Sequence, residues 1–400
     1  MEALYNVASA VTPCYFPPMP RTKIFYFLPN LQQGGTERQV LELLRRLPKD
    51  RFEPILCLYH GTVFFRDELP DDQPRYVLGT ERMNLAAFSR LRQILRHERP
   101  TIVHSFRDKS NFWARLAAFA EGVPVVISSC RNRAMQLRYL LVERALAHRA
   151  AAVLTNSRGV RDELVHLARV DPAHIRVIYN FLDLDRFRPP TVKERAAARR
   201  RWDLRPGQRA LLLPGRIGLQ KHQLSLLLAL SDLARRDDSA DVDWVLLLAG
   251  RARDPRISRW TERLTDRPEL RDRVRLLGAQ TDMRSLYWGA DLLVMPSLYE
   301  GLSNAALEAG ACGLPEILSH AANIDETILP GHGGVEVPTG DRHALTSALR
   351  YMLTFDDATL RAWGRRAREH IATRFAAYED IALDQTVAVY DDLLGHRPAS

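Results

Sequence analysis

Short apolar runs recur in the first half of the chain, at Lys23 to Pro29, Pro54 to Tyr59, Ile102 to Ser105, Val123 to Ser129, Ala152 to Asn156 and Arg176 to Tyr179. Between several of them lie segments with apolar residues at helical spacing, such as Glu37 to Leu47 and Phe88 to Arg96. That alternation predicts βαβ units around a parallel sheet. A basic, proline-containing stretch from Arg186 to Gly207 interrupts the pattern. A second strand series follows at Ala210 to Pro214, Val242 to Ala249, Val274 to Leu277, Leu292 to Pro296 and Pro315 to Ser319. After Asp341 the pattern is helical, with Leu345, Leu349, Met352 and Leu353 on one face and Ala382, Val389, Leu393 and Leu394 on another.

The expected fold is therefore α/β, with two doubly wound, Rossmann-like domains facing a central cleft. The pattern divides the chain into an N-terminal arm (1–22), a first domain (23–190), a linker (191–209), a second domain (210–375) and a C-terminal helical segment (376–400) able to cross back to the first domain. Two such sheets bring the carboxyl ends of both strand sets to one crevice, where open α/β sheets bind ligands.

Four hundred residues at 46% hydrophobic content suffice for two such cores. No apolar run approaches the length of a membrane span, and the first 22 residues, with Glu2 and several prolines, do not read as a secretory signal. Cys14, Cys57, Cys130 and Cys312 form no CxxC pair, which argues against a zinc site and a disulfide framework and fits a reducing cytosol. A net charge of +9 favours acidic partners: nucleotide phosphates, nucleic acid or anionic lipid.

The most informative segment runs from Pro296 through Glu300, Ser303 and Glu308 to Gly313 and Pro315, reading as strand, loop, helix, strand. Ser303 suits an N-cap and Gly313 a left-handed helix stop. The first-turn N–H groups, from about Leu302 to Ala305, would form an anion site, with Glu300 in the loop before them and Glu308 about a turn and a half further in. Two other segments follow buried-type strands and precede helices. One is Leu213-Pro-Gly215-Arg216 through Lys221-His222; the other is Asn30 through Gly34-Gly35-Thr36-Glu37-Arg38, where paired glycines let backbone approach a ligand.

With its Glu300-Gly301 and Leu307-Glu-Ala-Gly-Ala-Cys-Gly-Leu-Pro315 text, the first segment resembles the E-x7-E signature of the retaining family-four GT-B glycosyltransferases. The second resembles their Gly-Arg-x4-Lys element and the third their N-terminal Gly-Gly-x-Glu-Arg loop. Weaker similarities at Ile102 to Ser105, Asn156-Ser157, Val177 to Phe187, Leu277-Gly278 with Asp282, and Ala290-Asp291 extend the likeness over roughly residues 23 to 375.

The resemblance implies that Glu308 holds the ribose hydroxyls of a nucleotide and that Glu300 contacts the donor sugar. Arg216 and Lys221 are implied to clamp the diphosphate, where fixed cations stabilise charge as it develops on the leaving group. Glu300, Arg216 and Lys221 are the candidate catalytic residues. Gly34, Gly35, Gly278, Gly301, Leu302, Ser303 and Asn304 join them and Glu308 as candidate donor-binding residues. His104, Arg131 and Asn132 are candidates for acceptor contacts, although a lone histidine ending a buried strand is more often a satisfied structural residue. Departures from the family pattern include Phe106, where many relatives have a second histidine, together with Glu316 and Ala321-Ala322-Asn323, where donor-sugar specificity can differ.

The implied chemistry is metal-independent, front-face transfer from a UDP- or GDP-sugar, with no cofactor and no metal site, to a glycan, lipid-linked or small-molecule acceptor. The basic, partly apolar stretch Arg131 to Arg149 fits either a solvated amphipathic helix or contact with an anionic membrane. Alternatives from other classes are a catalytically silent GT-B partner subunit and a basic nucleic-acid-binding protein.

Overall fold

The computed structural model describes residues 20–32, 34–64, 68–70, 72–133, 136–235, 242–252, 254–375 and 379–395. The expected N-terminal arm, Cys14 and Met135 thus lie wholly or largely outside the described residues.

The described residues form two parallel sheets. The first has seven strands: β1 (Thr22–Leu28), β2 (Phe52–Leu58), β3 (Arg75–Val77), β4 (Ile102–Phe106), β5 (Val125–Cys130), β6 (Ala152–Thr155) and β7 (Ile175–Val177), in the order β3-β2-β1-β4-β5-β6-β7. The second has six: β8 (Arg209–Pro214), β9 (Trp244–Ala249), β10 (Val274–Gly278), β11 (Leu292–Met295), β12 (Glu316–Ser319) and β13 (Gly334–Val337), in the order β10-β9-β8-β11-β12-β13. In each the direction of winding reverses beside the first strand, between β1 and β4 and between β8 and β11, which opens a crevice at the strands' carboxyl ends.

Strand β9 shows why continuous apolar runs mark such sheets. Trp244, Leu246 and Leu248 face one helical layer and Val245, Leu247 and Ala249 the other, all buried. The helices that cover the first sheet are α1 (Gly35–Arg46), α2 (Leu85–Glu98), α3 (Asp108–Ala120), α4 (Leu137–Leu146) and α5 (Arg158–His166). Strand β3 was not anticipated: it is a three-residue edge strand with Arg75 and Val77 exposed, too short and too polar to carry a periodic signal.

The stretch expected to be a linker instead folds as α6 (Val192–Arg201), started by a reciprocal capping box between Thr191 and Glu194. Arg195 and Arg199 hold it to the second sheet by hydrogen bonds to Asp291 at 2.5 and 3.1 Å and to the carbonyls of Trp288, Gly289 and Ala290. Its basic composition is a docking device. Helices α7 (Gln223–Arg235), α8 (Pro255–Thr265), α9 (Met283–Gly289), α10 (Asn304–Ala311), α11 (Arg342–Leu353) and α12 (Asp357–Arg374) complete the second half.

The last helix, α13 (Glu379–Leu394), returns to the first sheet. Its Ala382 and Tyr390 are buried in the core formed by β1, β2 and α1, and the Tyr390 hydroxyl lies 3.1 Å from that of Tyr26.

Candidate active site

A cavity of about 590 Å³ lies between the two sheets at their carboxyl ends. It brings together Gly34, Gly35, Arg131 and Asn132 from the first half with Arg216, Lys221, Glu300, Gly301, Leu302, Ser303, Asn304 and Glu308 from the second. Its size suits a ligand of nucleotide-sugar dimensions.

The second wall is built mainly from the turns that follow β8 and β11, with Arg251 after β9 and Gln280 and Thr281 after β10 beside them. After β8, Gly215 adopts φ +137°, a conformation that side chains rarely take, and a Cβ there would lie 2.7 Å from Cε of Lys221. The turn then presents Arg216 and a short 3₁₀ segment carrying Gln220 and Lys221. The Lys221 ammonium is 2.7 Å from Oε1 of Glu300, while Nε2 of Gln220 donates to Glu300 Oε2 at 3.2 Å and to the Tyr299 carbonyl at 3.1 Å. Gln220 therefore fixes the carboxylate that Lys221 neutralises.

After β11 the chain passes through Glu300 to α10, whose N-cap is Ser303; its hydroxyl accepts from the Ala306 amide, and Gly313, at φ +76°, ends the turn beyond the helix. One and a half turns into α10, Glu308 accepts a hydrogen bond from the Tyr287 hydroxyl at 2.9 Å. Burial raises its carboxyl pKa, against the opposing pull of Arg38 across the cleft and of the tyrosine hydrogen bond.

The first wall meets this loop closely. A Cβ on Gly301 would stand 2.2 Å from the Arg131 carbonyl oxygen, so only glycine permits the approach. Asn180 Nδ2 donates to the Leu302 carbonyl at 3.0 Å and also to Asn304, Asn156 Nδ2 reaches the same carbonyl at 3.5 Å, and Asn304 Nδ2 donates to the Gly35 carbonyl at 3.3 Å. Arg131 donates to Asn180, and burial lowers its pKa to about 10. Gly34 is the extended N-cap of α1, seated over the buried Glu37 carboxylate, which Arg107 neutralises at 2.7 Å.

Two expected site residues stand elsewhere. His104 is buried within the central strand β4, with Nδ1 2.8 Å from the Tyr390 hydroxyl and Nε2 2.8 Å from that of Ser129, and its ring stacked on Phe106. Burial lowers its pKa to about 3, and the ring does not line the cavity where an acceptor contact was expected of it. Gly278, at φ +67°, ends β10 without lining the cavity, whereas Gln280 and Thr281 just beyond it do. Nor do Glu316 and Ala321 to Asn323 line it. Glu316 is fully buried under α10 near Gly310, and Asn323 is bonded to Glu336.

The sequence reading overlooked Gln220, Tyr287, Arg251, Arg107 and Asp108. Arg251 and Arg107 each follow the carboxyl end of a strand, a position that points to the crevice. Tyr287 lies within α9 and had no such signal.

Residues 33–186 match the model for Glycosyltransferase Family 4 and residues 208–354 that for Glycosyl transferases group 1. A UDP-Gal:alpha-D-GlcNAc-diphosphoundecaprenol alpha-1,3-galactosyltransferase of Escherichia coli is 24% identical over 90% of this chain and 94% of that protein. A D-inositol 3-phosphate glycosyltransferase of Streptomyces bingchenggensis is 31% identical over 64% of this chain, a match that spans 56% of the Streptomyces protein. Among solved structures, Anabaena HepE in complex with UDP and glucose superposes with a TM-score of 0.80 at 18% identity, over 93% of this chain and 100% of that one. A Rickettsia africae glycosyltransferase gives 0.79 at 20% identity, over 94% and 100%. With both halves matched and both sheets in the GT-B arrangement, the chain belongs to the family-four, group 1 glycosyltransferases.

Proposed function

We propose that the protein moves a sugar from a UDP-sugar to a hydroxyl of a lipid-linked or small phosphorylated acceptor, with retention of anomeric configuration and without a metal ion. The observation that carries this reading is the convergence of Arg216, Lys221, Glu300 and Glu308 on one cleft between two domains. HepE was solved with UDP and glucose, and the Escherichia coli relative is named for UDP-Gal and a diphosphoundecaprenol acceptor, which supports the choice of nucleotide and acceptor.

In this reading Glu308 accepts the ribose hydroxyls, and the N-terminus of α10 with Arg216 and Lys221 receives the diphosphate. The bond from the anomeric carbon to the phosphate oxygen breaks, the acceptor oxygen bonds to that carbon from the same face, and its proton passes to the departing phosphate oxygen. Negative charge grows on the diphosphate as the bond lengthens, so preorganised cations act most strongly in the transition state. Glu300, held by Gln220, orients the sugar. On α4, Leu137 and Leu141 are exposed beside Arg138 and Arg144, which supports contact with an anionic membrane surface carrying the acceptor.

Calorimetric titration with UDP, GDP and their sugars tests the proposal, since binding is expected for UDP and about 10- to 100-fold weaker in Glu308→Ala. Transfer in the presence of EDTA is expected to continue. A native protein that binds no nucleoside diphosphate, or a folded Lys221→Ala variant with full transfer activity, contradicts the reading.

A further inference from the structure

We propose that Asp108 is the acceptor-positioning residue of this enzyme, its carboxylate receiving hydrogen bonds from hydroxyls of the acceptor's sugar ring. The inference rests on the transferase reading and names the chemistry of the acceptor's reacting end.

Three carboxylates line the cleft: Asp108, Glu300 and Glu308. Glu300 is answered by Lys221 and Gln220, and Glu308 by Tyr287. Asp108 alone receives no side-chain hydrogen bond among the described residues. It opens α3 directly after β4, where its own backbone N–H hydrogen-bonds its carboxylate. The residue before it, Arg107, is held at φ 77°, a strained conformation for a side-chain-bearing residue. The Arg107 guanidinium pairs with Glu37 on α1, and the next residue, Asp108, lines the cleft.

The environment disfavours the charged form of this acid on balance. Burial is the largest influence on it, Glu143 on α4 and Glu163 on α5 act in the same direction, and only Arg107 and the helix amide oppose them, so its pKa rises to about 6. A carboxylate kept in a cleft beside two other acids needs hydrogen-bond donors to ionise comfortably. The neighbouring first-domain groups Lys109, Arg131, Asn132 and Tyr139 line the same cavity and supply donors to ring oxygens or phosphate. Phosphate oxygens, being acceptors, cannot satisfy Asp108, whereas adjacent sugar hydroxyls can.

The test compares the native enzyme with Asp108→Asn and Asp108→Glu. Transfer is measured from a UDP-sugar to alkyl glycosides, to an alkyl diphospho-N-acetylglucosamine and to simple alkanols, with UDP binding followed by calorimetry. Asp108→Asn is expected to raise the acceptor KM about 30-fold, the effect of one charge-assisted hydrogen bond, while the Kd for UDP stays within twofold. Asp108→Glu should recover part of the loss. The native acceptor KM should climb as pH falls below about 6, and that of Asp108→Asn should stay flat. An unchanged acceptor KM in Asp108→Asn, a parallel loss of UDP binding, or equal use of alkanols by the native enzyme overturns the assignment. Failure of the native protein to bind UDP would instead overturn the transferase reading on which it depends.

Discussion

The tight approach of Gly301 to Arg131 across the two domains offers a quantitative test of how the cleft works. An alanine at position 301 would put a methyl group 2.2 Å from the Arg131 carbonyl oxygen and 3.1 Å from Oδ1 of Asn156, where ordinary contact begins at 3.4 Å. The overlap with the Arg131 backbone exceeds an ångström, and a backbone oxygen cannot swing aside as a side chain can, so the 301–304 loop must draw back. Its withdrawal loosens the bonds from Asn180 and Asn156 to the Leu302 carbonyl and from Asn304 to the Gly35 carbonyl. At roughly 1 kcal/mol for each net hydrogen bond, closure is disfavoured by about 3 kcal/mol. A population shift of that size corresponds to about a 100-fold fall in kcat/KM. Each domain's core is untouched, so the melting temperature should change little, while small-angle scattering should report a more open particle. Gly301→Ala retaining kcat/KM within threefold of native, with the same scattering profile, would falsify the claim that this contact sets closure.

Other outcomes follow from buried groups. The unfolded chain loses the Asp108 proton near pH 3.8 and the folded protein only near 6, so this residue lowers stability as pH rises between those values and by a constant amount above them. Asp108→Asn is therefore expected to be more stable than native by roughly 1–3 kcal/mol at pH 7, converging with it below about pH 4 in urea titrations; equal stability at pH 7 would count against the burial described. Glu316 has no side-chain partner among the described residues, and burial pushes its pKa well above the usual range, partly offset by the Gly310 amide. Glu316→Leu should raise stability at neutral pH by about 1–2 kcal/mol, and a loss on chemical denaturation would contradict this. Tyr390→Phe leaves His104 Nδ1 and the Tyr26 hydroxyl without their shared partner, at a cost of about 1–3 kcal/mol. Hydrogen exchange in α13 should accelerate while UDP affinity stays native; slow exchange in the variant would refute the pin.

Much of this architecture was legible because burial on both faces forces parallel strands into uninterrupted apolar runs, as in β9. The cleft's second wall was legible for a different reason: Gly215 and Ser303 suit strand-to-helix turns and Gly313 the helix-to-strand turn after α10, and the resemblance attached chemistry to the residues between them. What could not be read locally were partnerships across the fold. His104 sits near the carboxyl end of a strand run in the sequence, yet it lies mid-strand in β4 and a tyrosine 286 positions later in the chain claims its ring nitrogen. The arginines of α6 looked like a solvated linker until Asp291 and a row of carbonyls supplied their purpose. Asp108 was passed over because nothing in its immediate sequence distinguishes it from an ordinary helix-opening acid.

The return of α13 to the first sheet has a mechanical consequence. The polypeptide passes between the domains twice, once ahead of α6 and once between α12 and α13. A body held by a single tether can swivel freely, but two tethers act like the pins of an axle and leave one easy rotation. Opening to admit substrate and shutting around it are then expected to follow one arc, which would return the opposing walls to the same register.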